Sequence, residues 1–166
     1  MYLIFVSSLN ENVKLANRIK DELKDHGENC EIINLVNLNL PMYDTTKEQN
    51  DGIPKVALDL AEQMKTAKGY IFVSPEYNFN VPPVLVNFIA WISRIGENFR
   101  ELFSLKTIQL ATHSGSNGKD FMNSTRNQFT KLGAIVAPRE IITTYSLKID
   151  EYELKTIINE YIHIGK

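Results

Sequence analysis

The residues best suited to hold a ligand fall in three polar stretches: Ser7–Asn12 (SSLNEN), Ser74–Pro82 (SPEYNFNVP) and Thr112–Lys119 (THSGSNGK). In the first, Ser7, Ser8, Asn10 and Asn12 bring hydroxyl and amide groups to the start of a helical pattern. Free backbone N–H groups and the positive dipole end there favour an anion such as phosphate. Plain N-capping would use the same residues, and the stretch contains neither glycine nor a basic side chain. In the second, Pro75, Glu76, Tyr77 and Asn78 combine an aromatic face with peptide donors and acceptors, as a flat heterocycle requires. In the third, Ser114 is followed by Gly115 and Gly118, which let backbone approach a planar ligand closely. His113 could stack on such a ligand or donate to its edge. A local hydrogen-bonding role is the commoner one for a lone histidine at a strand end.

Other chemistries find no support. A Walker-type phosphate loop fails, because only Ser116 and Asn117 separate the two glycines and Asp120 stands where serine or threonine is required. There is no Gly-x-Ser-x-Gly nucleophile elbow. His26, His113, His163 and Cys30 are scattered without metal-ligand spacing. A net charge of −2 with dispersed charges gives no reason to expect nucleic acid or an anionic membrane as partner. One cysteine cannot form an internal disulfide, which suits a reducing, cytoplasmic setting. No apolar run reaches membrane-spanning length, and Tyr2–Val6 is too short for a signal segment.

Elements must bring the three stretches together. YLIFVS (Tyr2–Ser7) is apolar throughout and β-forming, as a strand buried on both faces should be. ENVKLANRIKDELKDHG places Leu15, Ile19 and Leu23 on one helical face, and Gly27 ends that helix. CEIINL is a second strand and VNLNLPMYD a loop. IPKVALDLAEQMKTAKG is a helix with Pro54 in its first turn and Val56, Leu60 and Met64 along one face. Tyr70–Val73 is a third strand. A helix follows from Pro82–Pro83 to about Ile95, then strand KTIQLAT and helix DFMNSTRNQFTKLG, closed by Gly133. AIVAPREIITT is a fifth strand interrupted by Pro138. In the last helix, Leu154, Ile157, Ile158, Tyr161 and Ile162 follow the i, i+3, i+4, i+7, i+8 stripe.

Strand and helix thus alternate five times over 166 residues, enough for one domain. The pattern predicts a single α/β domain over residues 1–166: a flavodoxin-like three-layer sandwich on a five-stranded parallel sheet, order 2-1-3-4-5. Ligands in such sheets sit at the carboxyl ends of the strands, where all three polar stretches fall. The helix after Pro83 is apolar almost all round: Val84, Leu85, Val86, Phe88, Ile89, Trp91 and Ile92. A sheet covers only one side of a helix, so either a second subunit covers its back or it is an unusually buried core helix. The first reading is the expectation here.

The string SPEYNFNVPPVLVNFIAWISR resembles the signature of the NADPH-dependent FMN reductases, roughly P-E-Y-N-x-S-x-P-x-x-L-K-N-A-I-D-W-x-S-R. Pro75, Glu76, Tyr77, Asn78, Pro82, Leu85, Asn87, Ile89, Trp91, Ser93 and Arg94 fall in register. LNLPMYD also resembles that family's Leu-Pro-x-Tyr-Asp segment. The order of elements agrees along essentially the whole chain. The resemblance implies a flavodoxin-like fold, FMN as cofactor, NADPH or NADH as reductant, and azo, quinone, metal-oxyanion or free-flavin acceptors. It also implies a homodimer or homotetramer, here through the Pro82–Arg94 helix. On this basis Pro75, Glu76, Tyr77 and Asn78 line the flavin ring, with the Asn78 amide at its pyrimidine edge. Ser114, Gly115 and Gly118 flank the ring, and Ser8, Asn10 and Asn12 belong to the phosphate loop. If Glu76 pointed inward, its charge would disfavour an anionic reduced flavin. No residue is expected to act as a conventional catalyst, since the cofactor carries the chemistry.

The chain departs from the family pattern Ser-x-Arg-x-x-Ser-x-Asn in its first loop, which is shorter and lacks the arginine and a glycine. Losing a charge-assisted contact weakens phosphate binding by about 1.5–3 kcal/mol unless something compensates. Lys119 replaces a glycine, and Asn80, Val86 and Ala90 replace the usual serine, lysine and aspartate. Arg94, Arg100 and Lys119 are the candidates for a nicotinamide 2′-phosphate. The competing reading is a non-enzymatic electron carrier or a degenerate flavin-binding module.

Overall fold

The computed structural model describes residues 1–98 and 100–165. Strands β1 (Tyr2–Val6), β2 (Cys30–Asn34), β3 (Gly69–Val73) and β4 (Thr107–His113) pair in parallel, with β1 between β2 and β3 and β4 beyond β3. The lane beyond β4 holds two short strands. β5 (Ile135–Val136) pairs with the start of β4, and β6 (Ile141–Thr143) pairs with its end. Pro138 lies in the gap, where it has no N–H for the ladder. The order 2-1-3-4-5 thus holds, with the fifth position split.

Alternation along β1 explains its unbroken hydrophobicity. Leu3 and Phe5 face one core with Tyr70 and Phe72, while Tyr2, Ile4 and Val6 face the other with Ile71 and Val73. Helices α3 (Lys55–Thr66), α4 (Pro83–Ile92) and α5 (Lys119–Lys131) cover the first face. Helices α1 (Glu11–Asp25) and α6 (Glu151–Ile164) cover the second. The buried stripe of α6 is the expected one. Helix α1 ends as expected at Gly27, whose φ of 77° lets its N–H reach Lys24 O and the Glu28 N–H reach Leu23 O.

Two expectations need correction, and a stretch without an expected element proves helical. In α3 the buried face is Ala57, Leu60, Ala61 and Met64, and Val56 is exposed. The small alanines let the helix lie close to the sheet, so the buried stripe runs one residue past the valine. The loop VNLNLPMYD is irregular as expected, and it leads into helix α2 (Thr45–Asp51), started by the Asp44 carboxylate accepting from Lys47 N at 2.8 Å. The second correction concerns the back of α4, which this chain covers itself. The Trp91 Nε1–H donates to Pro41 O at 2.8 Å, and the Tyr43 ring meets the indole edge-on at 5.0 Å. The Asn87 amide donates to Pro41 O at 3.0 Å and accepts from Tyr43 N at 2.8 Å. Trp91 is fully buried without a second subunit, and Val86 is the large apolar residue that α4 leaves exposed.

Candidate functional site

The loops leaving β1, β3 and β4 converge because their strands are neighbours in register. The Ser7 N–H bonds Val73 O at 3.1 Å, and the Ser74 N–H bonds Ala111 O at 3.0 Å. Between them lies a cleft of about 240 Å³ lined by Ser8, Asn10, Asn12, Pro75, Glu76, Tyr77, Ser114 and Gly115, together with Glu11, His113 and Tyr145. A second hollow of about 410 Å³ shares Ser8, Asn10 and Tyr77 and continues to Val36, Pro82 and Val84. Eight of the ten expected residues therefore meet around one space. Asn78 and Gly118 are not part of its wall.

Several of the eight spend their side chains on the fold. The Asn12 amide donates to His113 O at 2.9 Å and accepts from His113 N at 2.8 Å, clamping the first turn of α1 to the end of β4. It is buried, and both its amide nitrogen and its amide oxygen are engaged in this clamp. The Ser114 hydroxyl accepts from Glu76 N at 3.0 Å and shares a 2.7 Å bond with the Thr112 hydroxyl. Glu76 accepts from the Asp120 and Phe121 amides at 2.9 and 3.0 Å and from the Ser116 hydroxyl at 2.6 Å. It caps α5, whose own N-cap residue, Gly118, has no side chain to do so. Burial pushes the Glu76 carboxyl up, but the Ser116, Phe121 and Asp120 bonds together hold it below the usual range. Its charge is therefore directed at a helix N-terminus.

Gly118 is needed for packing and backbone shape. Its φ is 66°, and a Cβ there would meet Thr112 Cγ2 at 2.6 Å. Asn78 forms a tight two-residue turn with Phe79, closed by paired bonds between Tyr77 and Asn80 of 2.9 and 3.0 Å. Asn78 and Phe79 have φ of 49° and 61°. Such a turn normally takes asparagine and glycine, so Phe79 is held in a left-handed conformation costly for a bulky residue. Of the three candidates for a nicotinamide phosphate, Arg94 pairs with Glu48 at 3.2 Å. Arg100 lines a separate hollow beside Asn80, Val86 and Lys131, and Lys119 lines another beside Ser116 and Leu147.

What remains open in the cleft is specific. Asn10 precedes α1 without a side-chain capping bond. The Ser8 hydroxyl and His113 Nε2 are buried with no partner among the described residues. Gly115 has open space around it, and the Tyr77 ring is half exposed. Sequence reasoning missed two residues that matter here. Asn34 donates to Ser8 O at 2.9 Å and fixes the first loop. Tyr145 meets the His113 ring edge-on at 5.1 Å. His113, for which the sequence allows a ligand contact and favours a local bond, makes that local bond through Nδ1 to Thr143 and has no partner at Nε2 among the described residues. No local pattern announces Asn34 or Tyr145, because each acts across the fold.

Comparison with known proteins agrees with this architecture. Residues 2–146 match the family described as NADPH-dependent FMN reductase. The chain belongs to that family. It is 45% identical over 56 residues to a quinone reductase of Escherichia coli (strain K12), a stretch covering 34% of this chain and 30% of that one. It is 38% identical over 55 residues to a 2-hydroxy-1,4-benzoquinone reductase of Burkholderia sp, covering 33% and 29%. The matched stretch thus spans less than a third of these curated relatives. Among solved structures, a flavoenzyme NAD(P)H:(acceptor) oxidoreductase from Paracoccus denitrificans superposes with a TM-score of 0.80 at 16% identity, covering 99% of this chain and 96% of that one. A two-electron reduced flavodoxin from Megasphaera elsdenii superposes at 0.65 with 15% identity, covering 98% and 99%. At such identities these two likenesses establish the fold.

Proposed function

We propose that the protein is an FMN-dependent oxidoreductase that takes reducing equivalents from NAD(P)H and passes them to a small acceptor, a quinone first among them. The observation that carries this reading is the cleft at the carboxyl ends of β1, β3 and β4, beside the switch point of the sheet. Its unsatisfied polar atoms, Ser8 Oγ and His113 Nε2, lie with the uncapped start of α1. These groups fit a phosphate-bearing planar cofactor: hydroxyl and amide donors at a helix start, then an aromatic ring and open backbone further along.

In this reading Ser8, Asn10 and the first amides of α1 hold the phosphate. Pro75, Tyr77 and Gly115 set the position of the ring, and Asn78 shapes the turn that follows Tyr77. FMN, when bound, supplies the hydride-accepting and hydride-donating chemistry. The chain supplies orientation and an exposed face. Asn12, Glu76, Ser114 and Gly118 act one step back, by fixing the three loops against each other. Quinones rank first as acceptors because the relatives matched in sequence are quinone reductases by description.

A second copy of the chain is proposed to pack on the surface that carries Val86 and Phe79, both exposed. Trp91 is already covered by the chain's own loop, so the contact is narrower than the whole Pro82–Arg94 helix. Sedimentation that shows only monomer at micromolar concentration removes this part. A cytoplasmic location is proposed with it, and among the described residues no helix is long and apolar enough to cross a membrane.

The deciding experiment is a titration of the purified protein with FMN, followed anaerobically by NADPH and then NADH. Uptake of FMN with rapid bleaching by either nicotinamide is expected. Uptake without bleaching indicates an electron carrier, and a colourless protein that takes up no FMN ends the flavin reading.

A further inference from the structure

The first loop contains no arginine or lysine, so a phosphate dianion there needs a cation from elsewhere in the fold. His113 ends β4 beside that loop, and Asn12 bonds its backbone on both sides. The side chain is about nine-tenths buried and lines the same cleft as Ser8 and Asn10. Its tautomer follows from its neighbours. The Thr143 hydroxyl donates its one hydrogen to Thr112 O at 3.1 Å, so it presents a lone pair to His113 Nδ1, 3.0 Å away. Nδ1 therefore carries the proton and Nε2 does not. Nε2 is buried without a partner among the described residues, an arrangement that costs free energy until something occupies it.

We propose that His113 is the phosphate-binding cation of this site: on binding of the cofactor's phosphate, Nε2 takes up a proton and donates it in a charge-assisted hydrogen bond to a phosphate oxygen. This rests on the FMN reading above. The step is proton uptake from solvent, with no covalent bond made or broken. Ser8 Oγ and the uncapped start of α1 complete the donor set.

The groups around the ring set the pH window. Burial is the main influence on the free histidine, lowering its pKa below 6.5; Glu11 opposes this, while Lys148 and Lys14 add to it. Glu11 and Lys14 come from α1 and pair with each other at 2.6 Å. Lys148 and Arg18 line a further hollow that His113 also borders, where Arg18 is held by Ile149 O and Glu151. Tyr145 covers the ring edge-on. The free protein is therefore neutral at His113 near pH 7, and a bound dianion raises the pKa. The sign follows: the gain in affinity is full below the free pKa and is lost as pH rises through the pKa of the complex. A phosphate monoester completes its own second ionisation near pH 6. Above pH 7 the ligand's charge is constant, so a fall in affinity there has to come from the protein.

The test measures FMN and riboflavin affinity from pH 6 to 8.5 by flavin fluorescence, together with NMR titration of the histidine rings. FMN affinity should fall by about tenfold across the upper half of this range, the size of one charge-assisted bond. Riboflavin, which has no phosphate, should show no such fall. FMN should raise the titration midpoint of His113, identified as the signal absent in His113→Gln. That variant should bind FMN more weakly at pH 7, with a flat alkaline limb and unchanged riboflavin affinity. Parallel FMN and riboflavin profiles, or an unmoved His113 midpoint in the wild-type chain, overturn the role of His113 and leave the flavin reading standing. Failure of both flavins to bind overturns the two together.

Discussion

The string Ser74–Arg94 and the loop Ser7–Asn12 face the same cleft but differ in how they use their polar groups. In the string, polar groups find partners within the chain. Glu76 caps α5, Asn87 and Trp91 hold the Leu40–Tyr43 segment, and Arg94 pairs with Glu48. In the loop, among the described residues, Ser8 Oγ has no partner and the Asn10 side chain makes no capping bond. Buried polar groups are nearly always satisfied in native folds, so the two regions divide the work. The stretch with the most recognisable sequence is mainly scaffold, and the stretch with the least holds the open valences.

The most severe way to break the scaffold side is Trp91→Ala. Removing a fully buried indole that also bonds Pro41 O should cost about 3–5 kcal/mol, read as a fall in the midpoint of urea unfolding. If the contact with Pro41 matters beyond packing, Trp91→Phe should still lose about 1 kcal/mol. A loss for Trp91→Ala that depends on protein concentration would instead point to a subunit contact.

Asn12 tests the one member of the loop that belongs with the scaffold. Asn12→Leu leaves the His113 N–H and C=O without their partners, at a cost of about 2–3 kcal/mol. Hydrogen exchange should show α1 and the end of β4 loosening together. A stability change under about 0.5 kcal/mol would mean that water replaces the amide easily, and the clamp would lose its standing.

This clamp also shows what the sequence concealed. Strands were legible because a strand buried on both faces must be apolar throughout, and α6 because its stripe repeats with helical period. Gly27 announced the end of α1 for a steric reason that acts locally. Asn12 and His113 are 101 residues apart, and Glu76 caps a helix that begins more than forty residues later. In sequence these residues look like ligand contacts, because a polar residue in a loop reads the same whether it faces a cofactor or a distant amide. The back of α4 misled for the same reason. Periodicity reports that a face is apolar, and the loop that covers it, Leu38–Tyr43, has no helical or strand pattern of its own.

Glu76→Ala should cost about 1–2 kcal/mol, the range for removing a carboxylate from a helix N-terminus. The carboxyl is held below its ordinary value, so its contribution is present above the unfolded value near 4.3 and is lost as pH falls through the lower folded value. Urea midpoints for the wild type should therefore drop between about pH 5 and 3, and Glu76→Gln should flatten that part of the decline. An unchanged slope would mean that Glu76 faces the cleft in solution, and the string would then carry part of the site's charge.

Ser8→Ala is the smallest change in stability and the sharpest test of the division. The hydroxyl has no partner among the described residues, so deleting it removes a buried polar group that gains nothing from them in the free protein. Folding stability should stay within about 0.5 kcal/mol of wild type or rise slightly. FMN affinity should nevertheless fall by about tenfold, the value of one hydrogen bond to a charged oxygen, while riboflavin affinity should be unaffected. A residue that is silent in folding and loud in phosphate binding belongs to the open side of the cleft. If Ser8→Ala instead destabilised the chain by more than about 1 kcal/mol, its hydroxyl would have an internal partner, and the contrast between loop and string would rest on His113 Nε2 alone.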